Sequence, residues 1–287
     1  MNIQNGVICG LSDWLYLQGG SNSLMDYHTG AKQLSEEEIE SWRKTLQYRH
    51  EWHQARNIKY LQVFAPNKIC VYPEFYPEEL TIVGDRPIVQ LIKDCGYLFT
   101  YQLDYLLNHK QSYKIYHETD THWNGIGAFF AYQQIMKLMK KKYSQQSLSF
   151  DCLKLFKKEM VGDLGNRFFP PKSHVAHMAK VSCSRSQKKF DNGVSNRGTV
   201  RKFINNGNCI GKLLIFGDSF TTSLVRFLAE SFKEVIFIHA AFVDFDYIET
   251  EKPDLVMNHT IERFIVRVPD DFNSPHVDEY AKTLGKI

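Results

Sequence analysis

The run Lys212-Leu213-Leu214-Ile215-Phe216-Gly217-Asp218-Ser219-Phe220 decides the fold. Its short apolar stretch bounded by a glycine reads as a buried strand, and Gly217-Asp218 as a tight turn with a serine at the start of the next helix. That geometry holds a hydroxyl at the C-terminal edge of a sheet, with backbone N–H groups nearby that can stabilise an oxyanion. Far upstream stands Asp120-Thr121-His122-Trp123-Asn124. A carboxylate and an imidazole two residues apart are the other parts of a Ser-His-Asp relay. A serine hydroxyl is a poor nucleophile alone and needs a base and an orienting acid. Asp120, His122 and Ser219 therefore point to acyl transfer.

Outward from these strings the chain reads as alternating strands and helices. After strand 212–216 come a helix over 221–232, a strand Glu234–Ile238, a short helix near Tyr247 and a strand Asp254–Met257. Residues 7–17 read as two short strands around a turn at Ser12-Asp13. Ser35 and Glu38 form a capping box, with Leu34 and Ile39 as the hydrophobic staple, and open a helix toward Arg56. Lys59–Ala65 is a strand stopped by Pro66, a second helix follows Pro87, and Tyr113–His117 is a strand leading into the Asp120 turn. Ile126, Phe129, Phe130, Ile135, Met136 and Met139 mark an amphipathic helix. Residues 144–210 carry no clear period and are expected to be mostly loops. The expected fold is α/β, a mostly parallel sheet covered on both faces, in a single domain over residues 1–287.

Composition narrows the function classes. The chain has 287 residues, 43% hydrophobic and 14% aromatic, which suits one large globular core. Its 35 basic and 32 acidic residues leave a net charge of +3, so nothing argues for nucleic acid as a partner. Lys140-Lys141-Lys142 reads as a helix C-terminus complementing its dipole. Six cysteines (Cys9, Cys70, Cys95, Cys152, Cys183, Cys209) without CxxC pairs read as reduced thiols. His174 and His177 read as residues of a surface loop, and no metal site is expected. No apolar run reaches the ~20 residues of a transmembrane helix, and the start has no signal-peptide pattern. A cytoplasmic protein is expected, or one whose export segment was removed.

Further strings lie in a recognisable order: Asp13-Trp14-Leu15-Tyr16-Leu17, Gly30 with Leu34-Ser35-Glu36-Glu37, Ala65-Pro66-Asn67-Lys68 with Val71-Tyr72-Pro73-Glu74, Gly162-Asp163-Leu164, and Pro253-Asp254-Leu255-Val256 with Glu262-Arg263. With the Asp120 and Ser219 strings, the chain resembles the SGNH-hydrolase-like domain of the alginate O-acetyltransferases, the AlgJ and AlgX kind. The resemblance implies a flavodoxin-like three-layer sandwich and a triad of Asp120, His122 and Ser219, in reverse of the usual SGNH chain order. It also implies a cell-surface polysaccharide or its precursor as acceptor. The acetyl comes from a donor the sequence does not name, or from a membrane acyltransferase that supplies it; no bound cofactor is expected.

Several residues have two readings. Ser219 is either the nucleophile, which we favour, or the N-cap of its helix. Asp218 fixes the turn. Asn124 caps the helix from Gly125 or donates to an oxyanion, the cap being the simpler reading. Lys68 contacts an anionic sugar or pairs a carboxylate such as Glu74. Arg226 and Arg263 are substrate contacts or structural pairs, and Trp14 and Trp123 stack on sugars or sit in the core. The reading is an O-acetyltransferase working through an acetyl-serine. Its rivals are a carbohydrate esterase of the same fold and a non-catalytic glycan-binding protein.

Overall fold

The computed structural model describes residues 2–287. The chain opens with a meander of β1 (Ile3–Gln4), β2 (Val7–Cys9) and β3 (Leu15–Leu17). β4 (Lys59–Ala65) and β5 (Thr100–Tyr101) begin the central sheet. A hairpin of β6 (Leu153–Val161) and β7 (Ser173–Val181) stands apart from it. β8 (Ser186–Asp191), β9 (Val200–Asn205), β10 (Lys212–Gly217), β11 (Glu234–His239) and β12 (Leu255–Ile261) complete it. The helices are α1 (Leu24–His28), α2 (Glu36–Ala55), α3 (Lys68–Val71), α4 (Pro87–Cys95) and α5 (Leu103–Lys110), then α6 (Gly125–Leu138), α7 (Lys141–Ser144), α8 (Ser219–Ser231), α9 (Phe245–Glu251) and α10 (Val277–Thr283).

The sheet runs in the order β5-β4-β12-β10-β11-β9-β8. β5, β4, β12, β10 and β11 are mutually parallel, and β9 is antiparallel to both β11 and β8. From β10 the chain passes through α8 to β11 on one side, then through α9 to β12 on the other. β10 is thus the point where paths diverge, and its C-terminal end opens on the crevice where such sheets bind ligands.

One face of the sheet, with Leu213 and Ile215, packs against α6 and α8. The other, with Leu214 and Phe216, packs against α9 and Val277 of α10, while α2 and α4 cover Phe64 of β4. The capping box of α2 is formed: Ser35 Oγ accepts from Glu38 N at 3.2 Å, and Glu38 Oε2 from Ser35 N at 2.8 Å. α2 also carries Arg49, whose enclosed guanidinium meets both oxygens of Asp271 at 2.8 Å and Gln62 Oε1 at 3.0 Å.

The structure corrects four expectations. Residues 144–210 hold two hairpins, β6–β7 and β8–β9. β6 pairs with β7 along nine residues, but Lys154 through Glu159 are all exposed, so no one-sided alternation marks the strand. His174 and His177 consequently lie on a strand. Tyr113–His117 joins no sheet and folds back on its own turn in one antiparallel bridge, Tyr116 to Trp123, made by Asn124 N to Ile115 O at 3.0 Å and His117 N to His122 O at 3.2 Å. Finally, Lys141 and Lys142 belong to α7, beyond the end of α6 at Leu138.

The buried ion pair and the exposed cap predict different stabilities. Asp271→Ala leaves an enclosed cation without its carboxylate and should cost about 3–5 kcal/mol, whereas Ser35→Ala should cost about 1 kcal/mol. Urea denaturation of both variants is the check; an Asp271→Ala cost no larger than that of Ser35→Ala would refute the account.

Candidate active site

The turn after β10 is fixed by close contacts. A Cβ on Gly217 would lie 2.2 Å from Thr221 Oγ1 and 2.8 Å from His259 O, so only glycine lets the strand end there. Asp218 is the N-cap of α8: Oδ1 accepts from Phe220 N at 2.8 Å, and Oδ2 from Ile261 N at 2.7 Å, tying the ends of β10 and β12 together. Burial raises the pKa of this carboxyl against the opposing pull of those N–H groups. With the cap taken by Asp218, Ser219 is the first helical residue, half-buried, at the positive end of the α8 dipole.

His122 Nε2 lies 2.8 Å from Ser219 Oγ. Its Nδ1 lies 2.6 Å from Asp120 Oδ1, which also accepts the His122 backbone N–H at 2.8 Å. Nδ1–H pointing at the carboxylate leaves Nε2 as the acceptor facing the serine. Burial opposes ionisation of Asp120, but hydrogen bonds from His122 and from the Asp163 N–H outweigh it and hold the carboxyl below the usual range. The imidazole ring lies 4.7 Å from that of Phe220, the residue after the serine.

The turn that carries Asp120 lies outside regular structure and is held from two sides. Lys68 Nζ donates to His117 O (3.1 Å), Glu118 O (2.9 Å) and Asp120 O (2.7 Å). Burial pulls its pKa down to about 7, against the carboxylates of Asp120, Asp163 and Glu118. On the other side, Asp163 N donates to Asp120 Oδ2 at 2.9 Å. Asp163 Oδ1 accepts from Thr121 N at 2.7 Å and Oδ2 from Thr121 Oγ1 at 2.6 Å, while Oδ2 lies 3.9 Å from His122 Nδ1. A Cβ on Gly162 would meet Thr119 O at 2.2 Å, so the strand of that loop needs glycine to approach. His174 closes the underside, 3.1 Å from His117 Nδ1 and 2.7 Å from Thr119 Oγ1.

Of the residues singled out in the sequence, the structure brings Asp120, His122 and Ser219 together. Asn124 Oδ1 caps α6, accepting from Ile126 N at 2.9 Å and Gly127 N at 3.0 Å, and its amide is spent on Lys114 O. Lys68 does not pair Glu74, which bonds Lys110 instead. Trp123 is buried, its Nε1 donating to Ser223 Oγ at 2.6 Å, and Trp14 stacks on Phe75 at 4.7 Å; both are core residues. Arg226 lies two turns along α8 from Ser219, its Nε buried without a partner and its Cζ 4.8 Å over Phe227. Arg263 lies 5.4 Å over Phe220, facing the charges of Asp218, Asp163 and Asp120. Asp163 and Thr121 stand in strings that the sequence reading quoted, Gly162-Asp163-Leu164 and Asp120-Thr121-His122, but it gave neither of them a role.

Asp120, His122 and Asp163 also offer three ligand atoms within 4.8 Å of one another. Their lone pairs are already committed: both Asp163 oxygens accept from Thr121, and His122 Nδ1 shares a proton with Asp120. The arrangement suits proton relay better than ion binding. Such a relay can deprotonate a serine and return the proton to a leaving group.

The comparisons with known proteins bear on the fold and the family. Bacillus cereus PatB1, solved with a sulfonyl adduct, is similar in structure with a TM-score of 0.65 at 17% identity, over 93% of this chain and 99% of that one. A DHHW family protein from Eubacterium siraeum gives a TM-score of 0.58 at 16% identity, over 93% and 94%. The O-acetyltransferase domain of Pseudomonas putida AlgJ gives 0.52 at 17%, over 97% and 99%. No curated protein matches the chain in sequence. The family described as SGNH hydrolase-like domain, acetyltransferase AlgX, matches residues 7–240, and the chain belongs to that family.

Proposed function

We propose that the chain, acting as one catalytic unit over residues 1–287, moves an acetyl group through Ser219 onto a hydroxyl of a cell-surface polysaccharide or its precursor. The observation that carries this reading is the continuous relay from Asp120 Oδ1 through His122 to Ser219 Oγ, with contacts of 2.6 and 2.8 Å. Ser219 Oγ attacks the donor's acetyl carbonyl while its proton passes to His122 Nε2. The N-terminus of α8 stabilises the oxyanion. His122 returns the proton to the leaving group, and the acetyl stays on Ser219. The acceptor hydroxyl then gives its proton to His122, attacks the ester carbonyl, and Ser219 departs, regaining a proton. Membership of the family described as acetyltransferase AlgX, and likeness to the AlgJ domain named as an O-acetyltransferase, support O-acetyl transfer, and a glycan hydroxyl is the acceptor we propose. A membrane acyltransferase is the proposed supplier of the acetyl group. The six cysteines are free, which suits a reducing compartment such as the cytoplasm, and no described helix is long and apolar enough to cross a membrane.

The relay is tested without knowing the donor. Phenylmethylsulfonyl fluoride should label Ser219 in the intact protein, read as one added sulfonyl group by mass spectrometry. Ser219→Ala should take no label there, His122→Ala should label at least ~100-fold more slowly, and both should lose nearly all turnover of a chromogenic acetyl ester. Acetate release compared with acetylated oligosaccharide separates transfer from hydrolysis. Full turnover in Ser219→Ala would sink the acetyl-serine mechanism.

The pH profile tests the two carboxylates. Asp120, held below the usual carboxylate range, stays ionised as the medium is mildly acidified, so the acid limb of kcat/KM does not belong to Asp120. Asp163→Asn removes a negative charge 3.9 Å from His122 Nδ1 and should move that limb to lower pH, with the plateau less affected. An unmoved limb with a lowered plateau would leave Asp163 only its clamp on Thr121.

A further inference from the structure

The hairpin β6–β7 and its connecting loop combine an excess of positive charge with exposed apolar groups. Between Leu153 and Val181 lie six cations, Lys154, Lys157, Lys158, Arg167, Lys172 and Lys180, against only Glu159 and Asp163. The β8–β9 hairpin has an equal excess, but there Lys188 and Arg201 pair with Asp191 and Lys202 with Glu251. The same segment exposes large apolar groups. Phe169 is 100% exposed, Val175 54% and Leu155 44%, with Phe156 and Val161 close behind.

The exposure is built in. Phe168 is buried in a cluster with Val7, Leu15 and Leu164, and Lys172 Nζ lies 4.5 Å over its ring. Asn5 Nδ2 donates to Arg167 O at 2.7 Å. The loop is thereby anchored on one side of Phe169 while the next ring projects outward, flanked by Arg167 and Lys172. Phe169 is not a lone exposed ring, because Leu155, Phe156, Val161 and Val175 of the same hairpin are exposed as well, and a group of such residues marks a contact surface. Cations interleaved with exposed aromatic and aliphatic side chains match the interface of an anionic lipid leaflet, where the rings enter the acyl boundary and the ammonium groups meet phosphates. A dissolved anionic polymer would account for the lysines but not for Phe169, Leu155 and Val175.

We propose that the β6–β7 hairpin docks this protein on an anionic membrane surface through its connecting loop, with Phe169 as the inserting residue and the exposed cations that flank it, Arg167 and Lys172, as headgroup contacts. The loop that carries Phe169 also carries Asp163, whose N–H holds Asp120. Docking would therefore place the relay beside the bilayer, within reach of a lipid-borne donor or acceptor. Membrane binding is read without turnover, so it stands or falls separately from the acetyl-transfer reading.

The test is co-sedimentation of the full chain with vesicles of phosphatidylcholine alone or with ~30% phosphatidylglycerol, the anionic component that basic segments recognise. The wild type should sediment with the anionic vesicles at ~50 mM NaCl, not with the neutral ones, and should weaken at ~500 mM, where exposed charges are screened. The double variant Arg167→Glu, Lys172→Glu should lose ~25-fold or more in partitioning, since each basic residue near such a surface contributes about five-fold. Phe169→Ser should lose ~5- to 10-fold and release fully in high salt. Both variants alter exposed groups outside the relay and should keep turnover of a soluble acetyl ester. The proposal is overturned if the wild type stays in the supernatant, or if either variant sediments like it. Binding of a soluble acidic polysaccharide that ignores Phe169→Ser, with no vesicle binding, would assign the basic face to a glycan instead.

Discussion

A single enclosed ammonium conditions everything else in the site. The Asp120 turn has no ladder of its own, and a mobile turn could not keep an imidazole within hydrogen-bond distance of a serine on another element. Lys68 supplies the rigidity: it gives three hydrogen bonds to three acceptors of that turn, the carbonyls of His117, Glu118 and Asp120. Three donors meet three acceptors, so the group is satisfied although buried. Burying an unpaired ammonium would cost several kcal/mol, and the carbonyls and neighbouring carboxylates offset that cost only while the turn keeps its shape. The lysine and the turn therefore specify each other.

The other half of the relay is fixed by a different device. Asp218 is a carboxylate beside Ser219, but both of its oxygens are engaged by backbone N–H groups of Phe220 and Ile261. It orients the start of α8 and is not free to act on His122. Asp120 and Asp218 are thus chemically alike and differ in role because of their partners. Arg263, enclosed over Phe220, faces both together with Asp163 and lowers the electrostatic cost of crowding three carboxylates near one imidazole.

What was legible in the sequence is what local rules govern. The strand–turn–helix around Ser219 and the capping box at Ser35 involve residues within one or two turns of each other, and the structure forms both. Asp120 and His122 were legible because the carboxylate and ring that share a proton lie two residues apart. Asp163 was not, because its partners Thr121 and Asp120 are more than forty residues away and no periodicity reports such a contact. Lys68 was misassigned for a related reason: its acceptors are backbone carbonyls, which carry no sequence signature. The β6–β7 hairpin escaped because its exposed strands lack the hydrophobic alternation that betrays half-buried ones.

The openness of the site bears on how an acyl-enzyme formed there would choose between water and a sugar. His122 keeps 27% of its side chain exposed and Asp163 41%. No residue of the relay is sealed from solvent, and the helix dipole and imidazole act on water and on an alcohol alike. Selectivity for transfer then has to come from an acceptor large enough to cover the relay and displace water as it binds. Extended glycans meet that requirement and small alcohols do not. Binding energy from sugar units remote from the reacting hydroxyl would be expressed as exclusion of water at Ser219, which links the length of the acceptor to the outcome of the reaction.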